Sequence, residues 1–160
     1  MSTSHKKMGE KLISSNPSAR SNYFIEEVVE AGVVLTGTEV KSIRSQSPNL
    51  KDSFVEVQAS ATGFEAWLLN THIGPYSHGN IWNHEATRKR KLLLHKRQLA
   101  HMHGAVIQKG MNIVPLKMYF KDGLVKIELG MGKGKKKYDK REDLKKKSAD
   151  REIEVALKRR

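Results

Sequence analysis

The residues best suited to contact a charged ligand lie near the end of the chain, in the glycine- and lysine-rich run 130–141. Glycine lets the backbone approach a ligand closely, and lysine supplies a cation that pairs with phosphate. The run is not a nucleotide-binding P-loop, because the residue five before Gly134 is a leucine and Lys135 is followed by lysine instead of serine or threonine. Tyr138, inside the run, has a ring that could stack on a nucleobase. The run therefore predicts a basic arm that contacts phosphates.

The remaining candidates for chemistry are seven histidines and the strand carboxylates. The histidines show no H-x-x-x-H or HExxH spacing, no cysteine is present, and His101 and His103 lie two apart on a predicted helix and so point in different directions. Carboxylates for acid–base catalysis would have to come from strand positions such as Glu26 or Glu27, which are expected to be exposed. The G-x-S-x-G motif that presents a nucleophilic serine on a sharp turn is absent from the sequence. The sequence predicts no metal site, no cofactor and no catalytic residue.

The positive charge of the chain, +13 at pH 7, is concentrated in two segments. Residues 88–97 hold six Lys/Arg and no acid, and residues 131–160 hold thirteen Lys/Arg against six Asp/Glu, a net of +7. Residues 23–87 hold three Lys/Arg against eight Asp/Glu, a net of −5. Such clustering is typical of a surface that binds a polyanion. Nucleic acid is the leading candidate and an anionic membrane surface is the rival.

Length and composition indicate one small domain with arms, since 160 residues with 38% hydrophobic content support one modest core. No apolar run approaches the roughly 20 residues needed to span a bilayer. The first residues are polar and lack the apolar stretch of a secretory signal. The absence of cysteine fits a reducing compartment. We therefore expect a cytoplasmic protein with no membrane partner.

The first half of the chain predicts strands around one short helix. A strand is expected over 23–35, bent at Ala31-Gly32, because this stretch is rich in β-branched and aromatic residues. Thr38 is the expected cap of a helix over 39–45. Residues 54–59 and 64–69 are expected to pair as a hairpin.

The second half predicts a long loop over 72–87, a buried Leu92–94 run and a helix over 96–108 that Gly110 ends. The cations of 88–91 are expected at the rim of a binding face, because such side chains are hard to bury. Strands over 112–120 and 124–129 are expected to form a hairpin around Asp122-Gly123.

These elements predict a mainly β fold with short helices, an OB-type antiparallel β-barrel, with a split α+β sandwich as the alternative. We divide the chain into a loose polar N-terminal arm (1–21), an OB-like RNA-binding barrel (22–130) and a basic C-terminal tail (131–160). Glycines 130, 132 and 134 are expected to prevent a regular element at the start of the tail. The charge density of the tail predicts disorder when it is alone and a helix only on a partner.

Several segments together resemble one family. In chain order they are Asn16 with Ala19-Arg20, 23–27 (YFIEE), 30–32 (EAG), 37–44 (GTEVKSIR), 52–55 (DSFV), 90–94 (RKLLL), 134–136 (GKK) and 139–141 (DKR). The chain resembles the SmpB (small protein B) family, the bacterial tmRNA-binding proteins of ribosome rescue. The resemblance runs in order over nearly the whole length.

The resemblance implies an OB-type barrel that binds the tRNA-like domain of tmRNA and delivers it to stalled ribosomes for trans-translation. It implies a non-catalytic protein whose tail occupies the decoding centre and mRNA channel of the small subunit. An acidic residue in an RNA-binding face, such as Glu30, must act by accepting hydrogen bonds from base edges, a 2′-hydroxyl or a neighbouring arginine.

The family pattern and the basic clusters together assign the candidate contacts. Those expected to bind RNA are Asn16, Arg20, Glu30, Glu39, Lys41, Arg44, Arg88, Lys89, Arg90, Lys91, Leu93 and Lys126. Those expected to contact the ribosome are Gly134, Lys135, Lys136, Lys137, Tyr138, Asp139, Lys140, Arg141 and Ile153. Many relatives carry histidine where Tyr138 stands, and tyrosine can stack but cannot take up a proton in the same way.

Two other classes of protein remain open from the sequence. A small basic structural ribosomal protein of the β-barrel type would have a similar composition and charge. An RNA-processing enzyme is a third possibility, although no nucleophile or metal set is visible. Nothing in the sequence requires more than a monomer.

Overall fold

The computed structural model describes residues 9–79 and 83–158, and for 137–139 it describes the backbone alone. The strands are β1 (Glu10–Ser15), β2 (Tyr23–Val33), β3 (Phe54–Ser60), β4 (Gly63–Leu69), β5 (Arg90–Leu93), β6 (Asn112–Lys121) and β7 (Leu124–Gly134). The helices are α1 (Pro17–Asn22), α2 (Gly37–Ser45), α3 (Lys96–Lys109) and α4 (Lys137–Lys158). The prediction of a mainly β fold with short helices is confirmed.

All seven strands belong to one antiparallel sheet in the order β1-β6-β7-β2-β5-β4-β3. The edge strands β1 and β3 do not pair with each other, so the sheet is not closed. Both predicted hairpins, β3–β4 and β6–β7, are present. Asp122 and Gly123 have φ values of 52° and 80°, the backbone that Asp-Gly favours in a tight hairpin turn.

The core lies between the inner face of the sheet and α3. Every second residue of β7 points inward, so Ile127 and Leu129 are fully buried, and Met102 of α3 packs in the same cluster. Gly110 ends α3 in the left-handed region at φ 66°, as predicted. The buried stripe of α3 and the alternating strands therefore account for the main hydrophobic core.

Three local predictions are wrong. Thr36, not Thr38, caps α2: its hydroxyl accepts from the Glu39 N–H, and its own N–H donates to the Glu39 carboxylate at 2.8 Å. The irregularity of β2 lies between Ile25 and Glu27 instead of at Ala31-Gly32. The described part of the predicted loose arm, from residue 9, forms β1 and α1, because β1 pairs with the long strand β6.

The glycines after residue 129 do not end the last strand, contrary to the prediction. Strand β7 continues to Gly134, which pairs with Tyr23 of β2. A Cβ atom on Gly132 would lie 1.9 Å from the carbonyl oxygen of Phe24, so only glycine fits between these strands. The glycines permit close strand contact here instead of preventing regular structure.

The prediction that the tail is disordered without a partner is also wrong, because residues Lys137–Lys158 form α4. This segment contains no glycine or proline, and half of its residues are Lys, Arg or Glu, which favour helix. Glu154 and Lys158 pair at 3.5 Å one turn apart. Among the helices of the described residues, none is long and apolar enough to cross a membrane.

Candidate nucleic-acid interface

One row of residues crosses four adjacent strands on the outer face of the sheet. Tyr119 of β6 pairs with Lys126 of β7, Lys126 pairs with Gly32 of β2, and Gly32 pairs with Leu93 of β5. Paired residues in an antiparallel sheet place their side chains on the same face. Leu92 is buried, but Leu93 projects outward with 55% of its surface exposed, so the prediction of a buried Leu92–94 run is wrong for Leu93. The row places an exposed apolar side chain and a lysine on either side of a glycine.

Glu30 lies two residues before Gly32, so it shares this outer face. The hydroxyl of Tyr119 donates a hydrogen bond to the Glu30 carboxylate, and Lys121 Nζ lies 3.4 Å from the same oxygen. The hydrogen bond from Tyr119 and the charges of Lys121 and Lys126 hold the pKa of Glu30 below its usual value. Burial and the adjacent carboxylate raise the pKa of Tyr119. Glu30 is therefore a fixed, ionised acceptor.

A groove of about 480 Å³ opens along this row. Its lining residues are Glu30, Gly32, Leu93, Leu94, His95, Gln98 and Lys126. Three of the sequence-predicted RNA-binding residues, Glu30, Leu93 and Lys126, thus lie in one groove, although they are far apart in the chain. The side chain of Leu93 lies over Gly32, since a Cβ on Gly32 would be 3.3 Å from Leu93 Cβ and 3.5 Å from its Cδ1. The Glu30 carboxylate and the Lys126 side chain line the same groove.

Glu39 forms a second polar cluster, which is internal. Its carboxylate accepts from Arg90 Nε at 2.5 Å and from Arg88 Nη2 at 2.5 Å, and the side chains of Glu39 and Arg90 are fully buried. Burial alone would raise the pKa of Glu39, but hydrogen bonds from Arg88, the Thr36 N–H and Arg90 bring that pKa below its usual value. The expectation that all of 88–91 lies at a rim is wrong for Arg90, because Glu39 compensates its charge inside the protein.

The buried arginine also orders the long loop between β4 and β5. Arg90 donates to the carbonyls of Thr71 and Ala86 at 2.7 and 3.1 Å, which holds together the two ends of that loop. Ser42 of α2 donates to the Gly74 carbonyl at 2.6 Å, and His84 bridges the Ile73 carbonyl and the Thr38 hydroxyl. Residues 72–79 and 83–87 are irregular, as predicted, but they are tied to α2.

Asn16 is 7% exposed and does not face the groove. Its amide donates to the Pro115 carbonyl at 2.9 Å, and its side-chain oxygen accepts from Ser18 at 2.7 Å. The pairing of β6 with β7 is irregular between Pro115 and Lys117, so Asn16 satisfies a carbonyl beside a bulge. Its side chain fastens α1 to the sheet.

The other cations of the predicted RNA-binding set are exposed at separate places. Arg20 lies on α1, and Lys41 and Arg44 lie on α2, where Lys41 Nζ is 5.6 Å from the ring centre of Tyr76. Lys89 Nζ is 4.5 Å from the ring centre of Trp67, and Lys91 pairs with Glu65 at 3.8 Å. None of these side chains lines the groove that contains Glu30.

The tail residues begin at the end of β7, with Gly134 as its last member. Lys135 is 9% exposed, pairs with Asp143 of α4 and stands 4.9 Å from the ring centre of Phe24. Lys136 is exposed, and Ile153 has 60% of its surface exposed. Lys140 and Arg141 follow on the first turns of α4. The side chains of Lys137, Tyr138 and Asp139 lie outside the described residues.

Sequence reasoning missed five residues of this region: Gly32, Leu94, His95 and Gln98, which line the groove, and Tyr119, which bonds to Glu30. The signal for Tyr119 was present, because Lys117, Tyr119 and Lys121 alternate with apolar residues along a predicted strand. His101 and His103 point apart as predicted, towards Glu27 and onto the ring of Phe64. Over 9–79 and 83–158, no group of three or more His, Asp or Glu side chains could hold a metal ion.

The fold and the site together define a small basic β-sheet protein with an open groove on its outer face and a charged helical tail. The sequence model described as SmpB protein matches residues 13–159. The chain belongs to the SmpB family. This family is non-catalytic, which confirms the prediction that the protein is not an enzyme.

Close relatives support the same placement. A protein named SsrA-binding protein from Pelobacter propionicus is 58% identical over 151 residues, covering 94% of this chain and 97% of that protein. One of the same name from Shouchella clausii is 55% identical over 150 residues, covering 94% of each chain. A solved chain from a study of tmRNA–SmpB and the centre of the bacterial ribosome superposes with a TM-score of 0.64 at 41% identity, covering 84% of this chain and 95% of its own.

Proposed function

We propose that this protein binds the tRNA-like domain of tmRNA and delivers it to stalled ribosomes for trans-translation, so that the incomplete peptide is tagged and the ribosome is released. Relatives with more than half of their residues identical are named for binding SsrA, another name for tmRNA. A similar solved chain comes from a study of tmRNA–SmpB and the ribosome. The net charge of +13 suits an RNA partner.

The observation that carries the proposal is the shared groove of Glu30, Leu93 and Lys126. A surface that merely attracts RNA phosphates would gain nothing from a fixed carboxylate, because negative charge repels phosphate. A carboxylate held beside a lysine and an exposed leucine suits a contact with a particular base or ribose. This groove is the proposed tmRNA contact, and Arg20, Lys41, Arg44, Arg88, Lys89 and Lys91 add attraction for phosphates.

Three of the predicted RNA-binding residues take a different role in this proposal. Glu39 and Arg90 are fully buried, and both polar ends of the Asn16 side chain are bonded within the protein. They act on RNA binding by holding α1, α2 and the β4–β5 loop in place. Arg88, with 29% of its side chain exposed, is the accessible member of the Glu39 cluster.

The tail is proposed to act on the ribosome. Residues 134–141, with Ile153 further along α4, would contact the decoding centre and mRNA channel, where the positive charge of the helix faces ribosomal RNA. The body is proposed to be an OB-type barrel left partly open between β1 and β3. The proposed division remains an N-terminal part (1–21), a body (22–130) and a tail (131–160), with the shared strand β7 reaching Gly134. The protein is proposed to work as a cytoplasmic monomer.

Sequencing the RNA that co-purifies with the protein under near-cellular salt tests the function. Enrichment of tmRNA over bulk transfer RNA and ribosomal RNA is expected. Stoichiometric association with all ribosomes in cells that lack tmRNA would contradict the proposal and indicate a structural ribosomal protein.

A further inference from the structure

Lys135, which lies between β7 and α4, is held by the body of the protein instead of extending into solvent. It follows the last residue of β7 and stands two positions before the start of α4. Its N–H donates to the Asn22 carbonyl at 2.7 Å, so the backbone is still attached to the end of α1 at this point. Its side chain is only 9% exposed, although lysine is seldom buried. A buried ammonium group needs compensating partners.

Two partners from different elements surround the ammonium group of Lys135. The carboxylate of Asp143, on the second turn of α4, forms an ion pair with it. The ring of Phe24, on β2, has its centre 4.9 Å from Nζ and attracts the cation through its face. One side chain therefore joins a strand of the sheet to the tail helix. Residues of α4 also lie close to α1, which gives the helix a second contact with the body.

The contact lies at the base of a long helix, so it controls where the far end of the tail points. Ile153 lies 16 residues after Lys137, the first residue of α4. At 1.5 Å per residue this distance is roughly 24 Å, and a tilt of about 30° at the base would move Ile153 by roughly 12 Å. A displacement of that size decides whether the tail can enter a channel.

The burial of Lys135 argues against its direct contact with ribosomal RNA. A phosphate would have to displace the Asp143 carboxylate, which would then remain beside the phosphate as a like charge. Lys133 and Arg141, on either side of Lys135 in the sequence, are exposed and meet a phosphate without this cost. The structure therefore separates Lys135 from the cations of the same region that are accessible to RNA.

We propose that Lys135 is a positioning residue, which sets the direction in which α4 leaves the body through its contacts with Asp143 and Phe24. It acts on the ribosome through the helix, unlike the other residues of 134–141, which are proposed to contact the ribosome directly. This inference goes beyond the proposed function and rests on it, because the direction of α4 matters for tagging only if the tail acts on the ribosome.

The direction of α4 can be measured in the free, full-length protein. The chain has no cysteine, so Ala59→Cys on β3 and Ser148→Cys on α4 would carry two spin labels, and double electron–electron resonance would give the distribution of distances between them. With the native Lys135 and Asp143 this distribution should be narrow. Lys135→Met and Asp143→Asn should each widen it or shift its mean. Asp143→Glu, which keeps the carboxylate, should preserve it.

Lys133→Met and Asp150→Asn are the matched controls for these two changes. Each removes the same charge from an exposed side chain of the same element or its neighbour, Lys133 on β7 and Asp150 on α4. Both should leave the distance distribution as it is in the wild type. Circular dichroism and thermal melting would confirm that each variant is folded and that α4 is still helical.

An in vitro tagging reaction separates positioning from direct contact. If Lys135 positions α4, Lys135→Met and Asp143→Asn should each lower tagging about tenfold, and the double variant should be no worse than either single one. Binding of tmRNA should not change in any of them. If Lys135 instead contacts RNA, Asp143→Asn should preserve or raise tagging, because it removes a negative charge from the tail.

The outcomes distinguish the two proposals. The positioning role would be overturned, with the proposed function left standing, by unchanged distance distributions in Lys135→Met and Asp143→Asn, by full tagging activity of both variants, or by a loss of tagging confined to Lys135→Met. Failure of the wild-type protein to support tagging would overturn the proposed function and the positioning role with it.

Discussion

Tyr119 on β6 reaches across β7 and donates its hydroxyl hydrogen bond to Glu30 on β2. The two residues are 89 positions apart in the sequence. The bond holds the carboxylate at one end of the groove and keeps it ionised. The order of the strands in the sheet therefore brings Tyr119 to Glu30 and fixes a carboxylate on the outer face.

Replacing Tyr119 with phenylalanine should change how stability depends on pH. The pKa of Glu30 is lower in the folded protein than its unfolded value of 4.5. The contribution of Glu30 to the free energy of unfolding is therefore fully present above pH 4.5 and is lost as the pH falls through the lower, folded-state pKa. Without the hydroxyl, the pKa of Glu30 should rise. Above pH 4.5 the variant should be less stable by about 1 kcal/mol, and this difference should shrink in acid.

Urea unfolding between pH 3 and pH 7, with an NMR titration of the Glu30 carboxyl, would measure both effects. Tyr23→Phe, on the same strand as Glu30 but at its other end, is the control. Identical pH profiles for Tyr119→Phe and the wild type would contradict the prediction.

Glu30→Ala should weaken tmRNA binding about tenfold although it removes a negative charge from a basic protein. The slope of affinity against salt concentration should stay the same, because no phosphate contact is lost. Lys126→Ala should instead reduce that slope by about one. Gel-shift titrations at several salt concentrations would measure both; unchanged or tighter binding by Glu30→Ala would count against the role of the carboxylate.

Arg90→Met should destabilise the protein by about 3 kcal/mol, because it removes one partner of a buried, hydrogen-bonded ion cluster. The salt slope of RNA binding should not change, since Arg90 has no exposed surface. Lys91→Met is the matched control for stability. The ion pair of Lys91 with Glu65 is 3.8 Å long and lies at the surface, so the free energy of unfolding should change by less than about 0.5 kcal/mol. A reduced salt slope for a folded Arg90→Met would show that Arg90 reaches RNA.

Two glycines of β7 should respond differently to alanine. In Gly132→Ala the new Cβ would lie 1.9 Å from the Phe24 carbonyl oxygen, so strands β2 and β7 must separate, at a cost of about 3 kcal/mol. In Gly134→Ala the nearest atom, in the ring of Tyr23, is 3.9 Å away, and folding should be normal. Thermal melting distinguishes the two; a well-folded Gly132→Ala would show that the strands are less tightly apposed.

Removing the tail after Lys136 should preserve tmRNA binding and abolish peptide tagging on stalled ribosomes. The cut belongs there because β7 reaches Gly134 and pairs with Tyr23, so an earlier cut would damage the sheet. Gel shifts and an in vitro tagging reaction would measure the two activities, with the full chain as control. Complete loss of RNA binding by the folded truncation would refute separate surfaces for tmRNA and the ribosome.

The local elements of the fold were predictable because local patterns encode them. The alternation of 124–129 and the Asp122-Gly123 pair specified the β6–β7 hairpin, and the stripe of Leu99 and Met102 specified α3. The resemblance of short segments in order also identified the family and three residues of the groove. Each of these signals lies within a few residues of chain or in a direct match of residue types.

Other features depended on tertiary contacts. Polarity and glycine content wrongly suggested that 9–21 was loose and that 130–134 had no strand, because pairing partners elsewhere in the chain, β6 and β2, stabilise these segments. The tail is a different case, because its helix depends on local propensity: net charge outweighed that propensity in the prediction of disorder, whereas α4 is helical.

The sequence by itself determined the charge pattern, the hairpins, helices α2 and α3 and the family of this protein. Only the tertiary structure decided that Glu39 neutralises Arg90 in the interior, and that Gly32 lies between Leu93 and Lys126 with Tyr119 holding Glu30. The physical reason is that a binding groove on a sheet is set by the register between strands distant in the chain, and register follows from the packing of the whole core.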